Sequence, residues 1–304
     1  MNRPPLRTRI APTPSGYLHM GNLYSFVLTW LIARAEGGTV RLRIDDLDAA
    51  RTRPVYLEDI FRTLDFIGIV PDEGPSGVDD FLRQHSQKFR EGNYRHVLNG
   101  LREAGHLYGC SCPRSRILAD NPAGIYPGNC RNRPVDFTAK EIAWRVALPP
   151  ACSVQFKDSL TGQSHEVALN DEMGDFVVMR KDGLPAYQVA SLADDLYYGI
   201  NMVVRGNDLL TSTAAQLHLS AILGLTTFKA TEWHHHPLIK NEQQQKLSKS
   251  AGDLSVRGMI ENGMKKEHFL FRIAGWLGLP GGPYQSLKDL QSAGSEKGLF
   301  CLIR

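Results

Sequence analysis

The chain lacks any long apolar run. Its longest, Phe26 to Ala35, is broken by Thr29 and Arg34, far short of the roughly 20 residues that a membrane-spanning helix needs. No membrane association is expected. Met1 to Ile10 holds three arginines and no apolar stretch, so no secretory signal is expected either. Cysteine is scarce and odd in number, five in all, with three bunched at Cys110, Cys112 and Cys130. That pattern excludes a disulfide framework and suits a cytoplasmic protein with reduced, metal-competent thiols. A strong charge is missing too. The net charge of +3 and pI near 8.5 permit a nucleic-acid partner without demanding one. There is no internal repeat. What is present is length: 304 residues, 42% of them hydrophobic, can bury one large domain with an insertion, or two domains.

Local patterns read as an α/β fold. Thr8 to Thr13 predicts a strand that runs into the turn-rich Pro12-Thr13-Pro14-Ser15-Gly16. A helix is expected from Met20 to Glu36, stopped by Gly37-Gly38. Thr39 to Ile44 alternates apolar and basic residues as a half-buried strand does, and Pro54 opens another helix. Asp80 to Ala104 reads as largely helical, closed by Gly105. From Cys110 to about Asp175 the character changes, with cysteines, prolines and short strand-like runs at Ile142 to Leu148 and Ser153 to Phe156. This reads as an inserted subdomain.

The doubly wound rhythm is expected to resume with strands at Phe176 to Arg180 and Met202 to Arg205, and helices at Tyr187 to Ala193 and Leu209 to Leu223. His234 to Ile239 is strand-like, and Asn241 to Gln245 is a polar loop. Strand, loop, helix, strand predicts parallel strands with ligands at their carboxyl ends. Gln285 to Arg304 looks polar, irregular and partly disordered.

Two segments carry phosphate chemistry. Pro12 to Asn22 places a proline- and glycine-rich loop between strand and helix, where backbone N–H groups and the positive helix end meet an anion. His19 can donate to phosphate oxygens, and Gly21 lets a flat purine approach the backbone. The bland reading is a turn with a capping histidine. Lys246-Leu247-Ser248-Lys249-Ser250 sets two lysines three apart among serines, a pattern able to surround a triphosphate. Alone it also fits an ordinary basic loop. The two together, at opposite ends of an α/β chain, point to nucleotide activation.

The pair resembles the two signature motifs of class I aminoacyl-tRNA synthetases, and the surrounding residues resemble the glutamyl/glutaminyl branch. Arg9-Ile-Ala-Pro-Thr-Pro-Ser-Gly16 looks like that branch's arginine-headed first motif, and Arg43-Ile-Asp-Asp-Leu-Asp48 like its second strand. Tyr187 with Val189 to Asp195, Val204-Arg205-Gly206-Asn207-Asp208, and His235-His-Pro-Leu238 follow in the family's order, so the match spans about residues 7 to 278. The resemblance implies a Rossmann-type parallel sheet with an inserted zinc-bearing acceptor-type subdomain and a short helical C-terminal region. Its expected divisions are 1–109 and 176–250 for the catalytic halves, 110–175 for the insertion, and 251–304 for a helical remnant and tail.

It also implies that an amino-acid carboxylate attacks the α-phosphate of ATP. His19, Lys246 and Lys249 would be catalytic. Pro12, Gly16, His19, Gly21, Asn22, Asp208 and Lys249 would hold ATP, with Mg²⁺ accompanying it. Arg9, Ala11, Thr13, Asp45, Tyr187 and Arg205 would hold the amino acid, the arginines gripping carboxylates and Asp45 the ammonium. One departure stands out, because glutamyl members usually carry glutamate where this chain has Asp45, as glutaminyl members do. Tyr17-Leu18 also leans toward the glutaminyl pattern, and Asn22 replaces a second histidine. L-glutamate remains the favoured substrate.

Cys110, Cys112, Tyr126 and Cys130 offer three soft thiolates and a phenol, a set suited to tetrahedral zinc. Buried reduced cysteines are the plain alternative. The spacing resembles the zinc site of short glutamyl-synthetase paralogues, which implies one structural Zn²⁺. The adjacent His234, His235 and His236 are not assigned metal, because neighbours on a strand point to opposite faces. Only Ala251 to Arg304 follow the lysine motif, so no anticodon-binding domain is expected. With the cysteines, this resembles the glutamyl-queuosine tRNA(Asp) synthetase family, implying a monomer that activates glutamate without tRNA and transfers it to queuosine in the anticodon loop of tRNA(Asp). The alternatives are a synthetase acylating a small molecule or carrier protein, or a non-catalytic tRNA- or adenylate-binding module.

Overall fold

The computed structural model describes residues 4–133, 136–239 and 255–302. Strand β1 (Arg7–Ile10) leads through the proline-rich loop into helix α1 (Met20–Ala35). Strand β2 (Thr39–Leu42) then pairs parallel with β1, Arg9 opposite Arg41 and Ile10 opposite Leu42. Helix α1 is buried from Leu23 and Tyr24 through Phe26–Ala33, so its sequence is an apolar run rather than an amphipathic stripe. It closes as expected at Glu36, with Gly37 at φ 64, a left-handed position that costs glycine little. Helix α2 (Pro54–Ile67) starts on its proline.

The helix expected over 80–104 is broken. A turn, α3 (Val78–Asp80), passes into a π-helical turn at Phe81–His85, then a 3₁₀ turn at Gln87–Arg90, and only then α4 (Glu91–Glu103). The cause lies outside the segment. Asp46 accepts from Ser86 Oγ at 2.6 Å and from the Gln87 N–H at 2.8 Å, so it takes a donor that a continuous helix would use itself.

The middle of the chain forms its own antiparallel structure. Strands β3 (Leu107–Cys110), β4 (Ala143–Val146) and β7 (Val177–Met179) make one sheet in the order β3-β4-β7, with helix α5 (Arg114–Asp120) between the first two in sequence. Strands β5 (Ser153–Lys157) and β6 (Ser164–Ala168) form a hairpin, followed by the single turn α6 (Leu169–Glu172). The strand expected at Phe176 to Arg180 therefore belongs with this antiparallel sheet: β7 runs antiparallel to β4 instead of joining the parallel pairs.

The parallel pattern resumes after α7 (Tyr187–Tyr197). Strand β8 (Met202–Gly206), helices α8 (Leu210–Ile222) and α9 (Thr226–Lys229), and strand β9 (Glu232–His236) follow. Strands β8 and β9 are parallel, Arg205 opposite His235. The two parallel pairs meet where the Asn201 N–H donates to the Arg7 carbonyl at 3.0 Å and the Asn201 side chain accepts from the Arg7 N–H at 2.8 Å.

Helices α10 (Val256–Glu261), α11 (Lys266–Trp276) and α12 (Leu287–Glu296) complete the described chain. The irregular tail expected from Gln285 is thereby corrected. Ser286 and Asp289 form a reciprocal capping box, and Leu287, Leu290, Phe300 and Leu302 join the core that contains α1. At Gly294 a Cβ would meet the Phe300 ring at 2.0 Å, so the glycine there is a packing requirement and not a sign of a loose end. Among the described residues no helix is long and apolar enough to cross a membrane.

Candidate active site

The carboxyl ends of β1 and β8 open on a cavity of about 330 Å³. Both groups of sequence-predicted residues meet there. Pro12, His19, Gly21, Asn22 and Asp208 line it together with Arg9, Ala11, Thr13, Tyr187 and Arg205. Ser15, Phe26, His236 and Ile239 line it as well; Ser15 and His236 fall within motifs read from the sequence, but none of the four was assigned a role there. Gly16 is not on this lining, and neither is Asp45. Lys246 and Lys249 lie outside the described residues. The residues on either side of that segment reach the cavity: Leu238 and Ile239 line it, and the Val256 N–H donates to the Leu18 carbonyl at 2.8 Å.

His19 is the N-cap of α1. Its Nδ1 accepts from the Gly21 N–H at 3.1 Å and the Asn22 N–H at 3.3 Å, while Asn22 Oδ1 accepts from the His19 N–H at 3.1 Å. The capping reading and the phosphate-donor reading are thus compatible. With Nδ1 serving as acceptor, Nε2 is the donor nitrogen of a neutral ring. Gly21 protects this arrangement, since a Cβ there would stand 3.1 Å from the imidazole. The remaining helix-start N–H groups and the axial dipole add positive potential at the same spot.

Two buried arginines approach from the strands, and they differ in how their charge is met. Arg9 Nε lies 3.1 Å from Asp195 Oδ1, which also accepts from Arg43 Nη1 at 2.6 Å. Arg205 has no salt bridge among the described residues. Its Nη2 donates to Gln216 Oε1 at 3.0 Å and to Thr213 Oγ1, its Nη1 lies 3.5 Å from the Tyr187 hydroxyl, and its Nε has no partner. Burial lowers the Arg205 pKa; Tyr187 and Asp195 pull it back up in part, and the neighbouring Arg9 charge adds to the lowering. A guanidinium in this state is a receptor for an anion.

Asp45 is held in place by Arg43. Its carboxylate accepts from both Arg43 Nε at 2.7 Å and Nη2 at 3.0 Å. Its backbone N–H donates to the Pro12 carbonyl at 2.9 Å, which keeps it beside the loop that lines the cavity. The Arg43 and Asp195 partnership escaped sequence reading because it joins residues 152 positions apart.

The cysteine group does assemble. Among the described residues, Cys110, Cys112 and Cys130 are the one set with ligand atoms mutually close enough for a metal, all within 4.8 Å. Tetrahedral zinc, with Zn–S near 2.3 Å, sets its sulfurs about 3.8 Å apart. Cys112 and Cys130 Sγ are 3.6 Å apart, and the Tyr126 hydroxyl is 3.6 Å from Cys112 Sγ. The donor set therefore fits a tetrahedral site. The three histidines of β9 go to separate partners: His234 to Asp158 at 3.0 Å, His235 to Thr213 at 2.7 Å and His236 to the Pro237 carbonyl at 2.9 Å.

Known proteins converge on the same reading. Residues 5–288 match the family described as tRNA synthetases class I (E and Q), catalytic domain. A glutamyl-Q tRNA(Asp) synthetase from Cupriavidus metallidurans is 42% identical over 256 residues, covering 81% of this chain and 77% of that protein. One from Nitratidesulfovibrio vulgaris is 35% identical over 272 residues, covering 85% and 82%. Among solved structures, the glutamate-tRNA synthetase from Elizabethkingia anophelis superposes with a TM-score of 0.77 at 26% identity. That match covers 95% of this chain, which spans 65% of the larger enzyme. The chain belongs to the glutamyl/glutaminyl family of class I tRNA synthetases, alongside relatives named glutamyl-Q tRNA(Asp) synthetases, and is an enzyme of the ligase type.

Proposed function

We propose that the chain activates L-glutamate with ATP in the absence of tRNA and then transfers it to the queuosine base in the anticodon loop of tRNA(Asp). A glutamate α-carboxylate oxygen attacks the α-phosphorus, the bond to the β-phosphate bridging oxygen breaks, and pyrophosphate leaves. A queuosine hydroxyl next attacks the acyl carbonyl of the adenylate, releasing AMP. The observation that carries the first half is Arg205: a buried cation without a carboxylate partner, in the same cavity as the helix start capped by His19.

In this reading Arg205 and Tyr187 take the glutamate side-chain carboxylate, with Arg9, Ala11 and Thr13 shaping the pocket around it. Asp45, held by Arg43 next to Pro12, pairs the ammonium. Pro12, Gly16, Gly21, Asn22 and Asp208 receive ATP. His19 Nε2 donates to the phosphates, and Lys246 and Lys249 add charge neutralisation as the transition state spreads charge over them. Mg²⁺ enters with ATP. Cys110, Cys112, Cys130 and Tyr126 hold one structural Zn²⁺ in an insertion spanning about 110–175, between catalytic halves at 1–109 and 176–250, with 251–304 as a helical appendage. The acceptor follows from the names borne by the relatives, and no feature of the cavity itself selects it.

Two measurements test this. Glutamate-dependent exchange of pyrophosphate into ATP should proceed without tRNA; its absence removes the activation step. Labelled glutamate should then attach to queuosine-containing tRNA(Asp) and not to the same tRNA with guanine at that position. Equal labelling of both would overturn the acceptor. Labelling of a small molecule or carrier protein instead would favour the alternative synthetase.

A further inference from the structure

Arg145 is a buried cation that the adenylation chemistry leaves unused. It lies on β4 opposite Tyr108, and Cys110 lies opposite Ala143. Side chains two apart on a strand share a face, so Arg145 and Cys110 are diagonal neighbours on one side of this sheet. Its guanidinium centre stands 4.0 Å from the centroid of the Tyr126 ring. Arg145 is only 8% exposed, makes no salt bridge among the described residues, and its Nε has no hydrogen-bond partner. Its Nη1 donates to the backbone carbonyl of Asp175 at 2.6 Å, and its side chain also hydrogen-bonds toward Cys110.

Among the described residues, the neighbouring carboxylate is already committed. Asp175 accepts from Arg131 Nε at 2.6 Å, from the Tyr108 hydroxyl at 2.6 Å and from the Leu148 N–H at 3.0 Å. Lys181 is another cation near the cluster, reaching the Ser111 carbonyl at 2.8 Å from a half-buried position. Arg145 is thus an uncompensated charge beside Cys110 and over Tyr126. Leaving a guanidinium so placed is costly unless something anionic occupies the neighbourhood.

We infer that Arg145 is the counter-charge of the loaded metal site, a positioning residue that raises zinc affinity from outside the ligand set. This rests on reading Cys110, Cys112 and Cys130 as metal ligands. Three thiolates around one divalent ion sum to a net charge of −1, and ligation by the Tyr126 oxygen as phenolate would make it −2. A cation over the ring face attracts the electron-rich ring and orients its oxygen toward the sulfurs. The contact with the Tyr126 ring is present without metal, and the net negative charge of the loaded site adds to it, so the attraction is strongest when metal is bound. Groups around a zinc site that act in this way change affinity by roughly 10- to 100-fold when removed.

The test is competition for Zn²⁺ between the full-length protein and a chromophoric chelator. Wild type, R145M, R145K and K181M are compared, with urea unfolding of each in excess chelator and in excess zinc. R145M should bind zinc roughly 10- to 100-fold more weakly. R145K, which keeps the charge, should fall between the two, and K181M should remain near wild type. R145M should also lose much of the zinc-induced shift in its urea midpoint. If R145M does not fold, R145Q carries the same expectation, because its amide can still donate to the Asp175 carbonyl. Equal zinc affinity in wild type and R145M (or R145Q), with stability lowered alike in both states, would overturn the role of Arg145 while leaving the metal site intact. Failure of wild type to bind one zinc would overturn the metal reading itself.

Discussion

Replacing Arg205 by glutamine separates binding from folding. In the free protein this guanidinium is buried with polar partners on Thr213, Gln216 and Tyr187 and no carboxylate. Removing a cation in that state takes away a desolvation burden and about one or two ordinary hydrogen bonds, each near 1 kcal/mol. The R205Q chain should therefore unfold in urea within about 1 kcal/mol of wild type when glutamate is absent. With glutamate bound, the same residue makes two charge-assisted bonds worth roughly 1.5–3 kcal/mol each. Their loss should cost about 3–5 kcal/mol, or roughly 100- to several-thousand-fold in kcat/KM for glutamate in tRNA-independent pyrophosphate exchange. Glutamate at a hundred times its Kd should stabilise wild type by about 2.7 kcal/mol and leave R205Q unmoved at that concentration. The reasoning is refuted if R205Q exchanges within tenfold of wild type. It is also refuted if the unliganded variant loses 3–5 kcal/mol, the signature of a broken buried ion pair.

Other consequences follow from neighbouring contacts. Gly21→Ala should displace the His19 ring and lower the exchange rate at least tenfold while the thermal midpoint stays nearly unchanged, because the clash is with one side chain at 3.1 Å. Asp194→Ala should cost about 3–5 kcal/mol in urea unfolding, since this fully buried carboxylate accepts from Arg90 at 2.6 Å, Gln87 at 2.9 Å and Tyr94 at 3.0 Å. Burial, aided by the Arg205 charge, holds the His235 pKa down to about 3 from 6.5. The folded state therefore binds fewer protons than the unfolded chain. Its contribution is complete above pH 6.5 and shrinks as pH falls toward 3, by about 2 kcal/mol at pH 5. His235→Gln should flatten that part of the urea-midpoint profile by the same amount. Lys249→Ala should depress pyrophosphate exchange with no change in the urea midpoint.

The sequence made the local parts of the site legible and left its wiring hidden. His19, Gly21 and Asn22 act within one helix start, and their spacing alone implied it. Arg9, Tyr187 and Arg205 come from separate elements, yet each sits at or near a strand end or helix start, where an α/β fold gathers ligand contacts. Asp45 shows the limit: its type and place were readable, its capture by Arg43 was not. Asp194 and Asp195 make the point again, since adjacent carboxylates on α7 serve different arginines, Asp194 taking Arg90 and, at 3.9 Å, Arg43, while Asp195 bridges Arg9 and Arg43. Such pairings depend on which helix faces which strand. The C-terminal helix α12 was missed for another reason. Its Ser286–Asp289 cap is plain in the sequence, but its small residues disguise a face that packs on Phe300.

Strand β9 carries a consequence beyond its histidines. Asp158, at the end of β5, accepts from the His234 ring and the His235 N–H, while the Ser159 N–H bonds to the Trp233 carbonyl at 2.7 Å. Burial alone would raise the Asp158 pKa, but those donors hold it well below the ordinary carboxylate range. The β5–β6 hairpin is therefore bolted to the strand whose end, His236, lines the cavity. The hairpin is part of the chassis and not a swinging arm. Any macromolecule that docks across it meets the cavity at a fixed reach, so where its reactive group lands is a matter of shape.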